Sequence, residues 1–432
     1  MNRAKPLSKG RSILHFCNYS PITSGIYPET RDLVLEELRV GYEAWIVDHV
    51  PNNPQRKDPA CHDDLFRAGR VIGIEEFDDT QPSDLVCWHS FVPEKILQDR
   101  QRNLVMFLHA MPSHVFYNEL YGQEPVLSYL KNVTGTLPHC HAYITLWPSH
   151  RPYWENIIEE KLLVTNPIIC CDSISLKPDD AFDPGRLRLV VMDTWRGGKE
   201  PYYIMNAVQG MMTRSRRGEL PFEVSLHIYG QGQGNIPPVW RTLIRRGLEG
   251  FFHFKGRDDP QHIFDTHDIL LTQVGEIPTE SRVIREGLLS GIPIVAGHAN
   301  AEWTDFKHDC RDIEGFAGEI LGCWEHMQDG EARRRMFTAN RELACSRYDI
   351  RKNALPIFEC YEEIFARSAA VQARAHPSPS DGSPIRWDLL RHALASDEAG
   401  DLAAAVERMA GADEAMSREE AVLRLLVDLP RA

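Results

Sequence analysis

The chain has 432 residues, 43% of them hydrophobic and 25% charged, with a formal net charge of −14. That length predicts two domains or more, each able to bury its own core, and the composition excludes a chain disordered throughout. The acidic balance argues against broad attraction to nucleic acid or anionic lipid, leaving room only for a local basic groove.

No apolar run is long enough for a transmembrane helix, and the basic opening "MNRAKPLSKG" leads into a strand-like segment instead of a signal-peptide core. The expectation is a soluble, cytoplasmic protein. Ten cysteines occur without a C-x-x-C pair, the pattern of reduced thiols in a cytosol. His139, Cys140 and His141 look metal-like, but three consecutive side chains rarely converge on one ion, so no metal is expected.

In chain order, "SILHFCNY" (12–19) reads as a strand, "RDLVLEELRVG" as a helix with Leu33, Val34 and Leu38 at helical spacing, and "EAWIVD" as a second strand. Further strand-length runs follow at 84–89, 103–109, 142–147 and 161–169. A polar segment rich in Pro and Asp, 173–186, reads as a linker. Alternation then restarts with strands at 188–193, 222–230, 251–256 and 268–273, helices near 200–216, 237–248 and 279–290, and the strand "IPIVAG". Such alternation predicts an α/β chain of two doubly wound domains, 11–172 and 186–345, with a ligand cleft between them. Closing helices are expected over 346–372, a Pro/Ser linker at 376–384, and a small helical tail at 385–432 that is a candidate partner-binding segment.

Several residues are placed to do chemistry. Gly25 lies in the crossover after the first strand, where glycine lets a ligand approach the backbone, though an ordinary turn glycine reads the same way. His109 ends a strand, "LVMFLH", and a neutral imidazole there can donate to a sugar or phosphate oxygen or simply satisfy a strand end. Arg196 and Lys199 occupy a glycine-softened loop after the strand at 188–193, a combination suited to a diphosphate. Thr279 can cap the helix read at 279–290, with Glu280 at its first position, so the amides of Glu280, Ser281, Arg282 and Val283 form an anion site. Glu286, in that helix, is either an i, i+4 partner of Arg282 on a solvated face or an acceptor for two vicinal hydroxyls such as those of a ribose. The pattern alone accommodates both.

The stretch "HIYGQGQG", then "FFHFKG", "DILLTQ" and "TESRVIREGLLSGIPIVAG", resembles in order and spacing the nucleotide-sugar half of retaining GT-B-fold glycosyltransferases of family 4. The N-terminal half is similar to the same family through "SGIYPETRDLVLEELRVGYEAWIVD" and "LVMFLHAMP", and the likeness covers about 11–370. It implies two Rossmann-like domains, a nucleotide-diphosphate sugar as donor substrate with no cofactor or metal, and transfer with retention. On this resemblance Glu286 would hold the ribose, Lys199 and Arg196 the diphosphate, His109 and either Glu280 or Glu276 the donor sugar, and Gly25 and Gly230 would lie against the donor. Departures are visible: the family's first glutamate falls at Pro278, its arginine at Thr194, and its usual alanine after the second glutamate is Gly287.

The acceptor (glycan, lipid-linked sugar, protein, small molecule or modified base) is not specified by these motifs. Phe116, Tyr117, Tyr121 and Tyr129 form a possible aromatic platform for it, or plain helix core. Two other readings stay open: a nucleotide-sugar epimerase, and a degenerate module that binds sugar nucleotides without turnover.

Overall fold

A computed structural model of the chain describes residues 10–21, 25–78, 83–89, 103–109, 140–155, 158, 162–192, 202–230, 252–256, 258–272 and 281–372. They divide into two compact units: one runs to Ile168 and includes the chain from Arg351, and the other is Ile169–Ile350.

In the first unit, β1 (Ser12–Cys17), β2 (Glu43–Asp48), β3 (Val71–Gly73), β4 (Leu85–Trp88), β5 (Leu104–Phe107), β6 (Ala142–Thr145) and β7 (Leu162–Val164) form one sheet in the order β3-β2-β1-β4-β5-β6-β7. All its pairings are parallel. Strands β4, β5 and β6 are buried at every residue, as continuous apolar runs in a sheet covered on both faces must be. The crossover helix α1 (Ile26–Val40) stops at Gly41, whose left-handed φ of 105° lets its amide return to the carbonyls of Glu37 and Leu38. The run 161–169, read as one strand, is shorter here. Pro167 has no amide to give a ladder, β7 ends at Val164, and Thr165 and Pro167 instead bond Asn353.

The second unit contains β8 (Arg186–Met192), α2 (Tyr202–Arg216), β9 (Glu223–Tyr229), β10 (Phe252–Gly256), α3 (Pro260–Thr266), β11 (Ile269–Thr272), α4 (Arg282–Ser290), β12 (Ile294–Ala296), α5 (Ile313–Met327) and α6 (Gly330–Tyr348). Its parallel sheet has the order β10-β9-β8-β11-β12. One face packs Met205 and Val208 of α2 and Trp324 and Met327 of α5 against Leu189 and Leu226. The other packs Phe264 of α3 and Ile284 and Leu288 of α4 against Leu270 and Ile294. Helices on both faces make this a doubly wound sheet, and Asp259, Asp312 and Asp329 cap α3, α5 and α6 with their side chains. The Pro/Asp-rich segment lies against this unit: the buried Lys177 ammonium donates to the carbonyls of Phe264 and Asp265 at 2.8 Å, closing the end of α3.

Each sheet reverses its strand order once, between β1 and β4 in the first unit and between β8 and β11 in the second. Beyond the carboxyl ends of strands at such points, loops diverge to opposite faces and leave room for a ligand.

Helix α7 (Leu355–Gln372) packs on the first unit, where Tyr361 reaches Cys87 and Tyr42 donates to Glu362 at 2.7 Å.

Two consequences of this packing are measurable. Gly291 ends α4 at φ 80°, and a Cβ there would lie 2.7 Å from the Phe337 carbonyl oxygen. Gly291→Ala should therefore lose at least ~1–2 kcal/mol in urea unfolding, the cost of a left-handed residue alone; an unchanged midpoint would contradict this turn.

The second consequence concerns pH. His267 donates from Nδ1 to the Ile263 carbonyl at 2.6 Å and meets His227 at 2.7 Å. Burial, reinforced at His227 by His267, pushes His227 from 6.5 to about 3 and His267 from 6.5 to about 4. Between those values and 6.5 the unfolded chain binds more protons than the folded one, so stability should fall as pH drops from 6.5 toward 5. The slope of unfolding free energy against pH in that window should shrink in His227→Asn.

Candidate functional site

At the switch point of the second sheet, α4 begins at Arg282 with Ser281 in the cap position and no side-chain cap bond. It starts later than the sequence suggests: the expected cap Thr279 and first residue Glu280 precede it and lie outside the described residues, as do Arg196 and Lys199. The first-turn amides of the helix, those whose i−4 position precedes it, are consequently those of Arg282, half-buried Val283 and Ile284.

Helix α4 lies close on β11. A Cβ on Gly287 would come within 2.7 Å of the Leu270 side chain, a contact that glycine avoids. Arg282 donates from Nε to the Glu286 carboxylate at 2.7 Å, and the two side chains are only 8% and 13% exposed. The i, i+4 pair exists, but it is largely withdrawn from water, unlike the solvated pair considered from the sequence. A carboxylate so placed needs its cation. Gly230, just past β9, has a φ of 137° and donates its amide to the Gly256 carbonyl at 2.6 Å, a conformation that requires glycine.

In the first unit, Gly25 precedes α1 with an ordinary φ of −73°, and a Cβ there would meet nothing within 4 Å. Neither backbone strain nor crowding among the described residues demands glycine at this position. His109 follows β5, and its ring is held in a buried cluster. Its Nε2 lies 2.7 Å from His89 Nδ1, and its Nδ1 lies 3.4 Å from Glu29 Oε2. His89 Nε2 lies 2.9 Å from His15 Nδ1, and His15 Nε2 lies 2.8 Å from Glu37 Oε2. Phe107 stacks on His89 at 4.4 Å between ring centres. Burial, with the neighbouring rings of His109 and His15, pushes His89 well below its ordinary value, so this ring stays neutral. Cys87 and Tyr361, which border Glu37, are pushed far up by burial and stay neutral as well.

Sequence reasoning selected His109 but missed His15, His89, Glu29 and Glu37. A signal existed: Glu29, Leu33 and Glu37 fall at successive helical turns and are all buried, so the acids share the core-facing side of α1. His141 accepts the Leu104 amide at its Nδ1, a structural role; His139, Phe116, Tyr117, Tyr121 and Tyr129 lie outside the described residues.

No model of a known protein family matches the chain, and no curated protein sequence matches it. Solved structures do. A glycosyltransferase from Rickettsia africae ESF-5 matches with a TM-score of 0.59 at 14% identity, covering 83% of this chain and 99% of that one. Anabaena Alr3699/HepE, solved in complex with UDP and glucose, matches at 0.55 and 15% identity, covering 84% and 99%. The pneumococcal O-GlcNAc transferase GtfA, solved with UDP and GlcNAc, matches at 0.54 and 11%, covering 83% and 99%. At such identities the likeness is one of architecture: the chain has the two-sheet α/β fold of GT-B glycosyltransferases.

The burial of the Arg282–Glu286 pair has a direct test. Arg282→Ala leaves a largely buried carboxylate without its cation, so unfolding free energy should drop by about 1–3 kcal/mol, the range for removing a charged hydrogen-bond partner. A loss of a few tenths, the value of a solvated helix pair, would show that water reaches Glu286 freely.

Proposed function

We propose that the chain transfers a sugar from a nucleoside-diphosphate sugar to a hydroxyl-bearing acceptor, with retention of anomeric configuration and without a metal. The observation that carries this reading is Glu286: an acidic side chain 13% exposed, paired with Arg282, in the first turns of the helix that follows β11 at the sheet's switch point. The complexes of the Anabaena and pneumococcal proteins with UDP and a sugar support it and make UDP-sugars the first donors to try.

In this reading the amides of Arg282, Val283 and Ile284, with Ser281 at the cap, take the phosphate, and Glu286 accepts from the ribose hydroxyls. Arg196 and Lys199, in the loop after β8, neutralise the charge that develops on the leaving diphosphate. Glu280 and His109 hold the donor sugar, while Gly25 and Gly230 leave space beside the donor for the backbone to approach it. The bond from the anomeric carbon to the diphosphate breaks as the acceptor oxygen bonds the same face, and the acceptor's proton passes to the leaving phosphate oxygen.

Glu286→Gln keeps the side chain's shape and removes its charge. Hydrogen bonds to charged groups contribute about 1.5–3 kcal/mol, so UDP-glucose affinity by calorimetry should fall roughly ten- to a hundred-fold. Binding of UDP- and GDP-sugars equal to that of the unsubstituted protein would end the assignment of Glu286.

A further inference from the structure

Helices α2 and α5 leave a groove of about 660 Å³ between them on their solvent side. Ala207, Gly210 and Met211 line one wall, and Ala317, Gly318 and Leu321 the other. A Cβ on Gly210 or Gly318 would meet nothing within 4 Å, so the space above both glycines is open. Among the described residues, five large hydrophobic side chains are 39–52% exposed, and two of them stand here. Ile313 lines the groove at the start of α5, and Tyr203 lies one turn before Ala207 in α2. Apolar surface gathered in one groove, and not scattered singly, marks a contact site.

The other end is basic. Arg214 and Arg217 line it with side chains 49% and 70% exposed, and both pair loosely with Glu219, at 3.8 and 3.9 Å. The groove therefore fits an apolar rod with negative charge at one end. From Asn206 to Arg217 its wall is about 16 Å long at the helical rise.

The chain carries such a rod past the end of the family likeness, outside the described residues: "SREEAVLRLLVDLP" (417–430). Ser417 and Glu420 have the spacing of a capping box, and Pro430 stops the helix that they start. Residues 418–429 then form a helix about 18 Å long. Glu419 and Glu420 fill its first turn, where the helix dipole favours negative charge. Beyond them only Arg424 and Asp428 are polar, in line with Glu420, so the apolar face covers more than half the circumference. A face that wide needs two walls. A helix this short is also marginal by itself in water and depends on such a contact.

We propose that residues 418–429 dock as a helix in the α2–α5 groove of their own chain, with Glu419 and Glu420 beside Arg214 and Arg217. Helices α2 and α5 both return from carboxyl ends of parallel strands and cover the same face of the sheet, so they run side by side. Tyr203 and Ile313 accordingly share one end of the groove and the arginines take the other. The docked helix runs opposite to both, which brings Leu429 toward Ile313. The stretch 373–416 sets no limit on reach, since its 44 residues extend to about 145 Å.

The full chain with a benzoylphenylalanine photoprobe in place of Val422 tests this. Irradiation and digestion should give crosslinks to peptides from α2 or α5, in a product of single-chain mass. Arg214→Glu with Arg217→Glu should cut their yield about five-fold, because attraction becomes repulsion at a partly exposed site. Adding Glu419→Arg, which spares the capping box, should recover at least half of the loss. Gly318→Leu fills the groove and should cut the yield as well, while the melting temperature does not fall, since leucine suits a helix better than glycine. Crosslinks to any other segment, or none, overturn the proposal, and so does a yield indifferent to charge reversal. A product of twice the mass also overturns it, because a second copy would then occupy the groove. Sugar-nucleotide binding has no part in this readout, so the transferase reading stands or falls separately.

Discussion

His15 sits in the middle of β1 with none of its side chain exposed, so both ring nitrogens must find partners inside the protein. An unpaired polar group there would cost about 1–3 kcal/mol. One partner is His89 at the end of the neighbouring β4, and the other is Glu37 of α1. The helix that covers this sheet therefore cannot present a purely apolar stripe. Glu29, Thr30 and Glu37 are buried beside Leu33 and Val34, and the register of α1 over β1 and β4 is set by matching carboxylates to imidazoles. His109 enters this set last, from the adjacent β5, so its orientation is inherited from a hydrogen-bond chain that begins at Glu37, far from the strand end.

The second unit solves the same problem differently. Its hydrophobic clusters are apolar on both faces of the sheet, and two of its ion pairs lie at either end of β11: Arg188 with Asp268 at its start, and Arg282 with Glu286 in the helix beyond its end. Close packing places the second pair. Without side chains at Gly287 and Gly291, α4 settles against Leu270 and turns sharply under Phe337, which draws Glu286 out of bulk water. Arg341 then ties the carbonyls of Leu289, Ile174 and Cys171 to α6, fixing the end of α4 to the segment that precedes β8.

The strands were legible because parallel strands buried on both faces are written as short apolar runs, and "EAWIVD" matches β2 residue for residue. The start of α4 was less so. Thr279, Glu280 and Ser281 are all plausible first-turn residues, and only the backbone decides that Ser281 is the cap. Glu286 and Arg282 were found as a pair, yet their burial depends on how tightly Gly287 lets the helix pack, which periodicity does not report. The histidine cluster escaped for a deeper reason. His15 and His89 are 74 residues apart, their contact arises only when β1 and β4 pair across the switch point, and 18 histidines offer no local way to choose.

The central claim is that this fold holds a sugar nucleotide in a reactive state. Incubating the purified chain with UDP-, GDP- and ADP-sugars, without acceptor, and following release of the free nucleoside diphosphate tests it most directly. The account predicts saturable, slow hydrolysis of at least one donor, because water replaces the missing acceptor. No release from any donor, with no transfer when host extract is added, would contradict it.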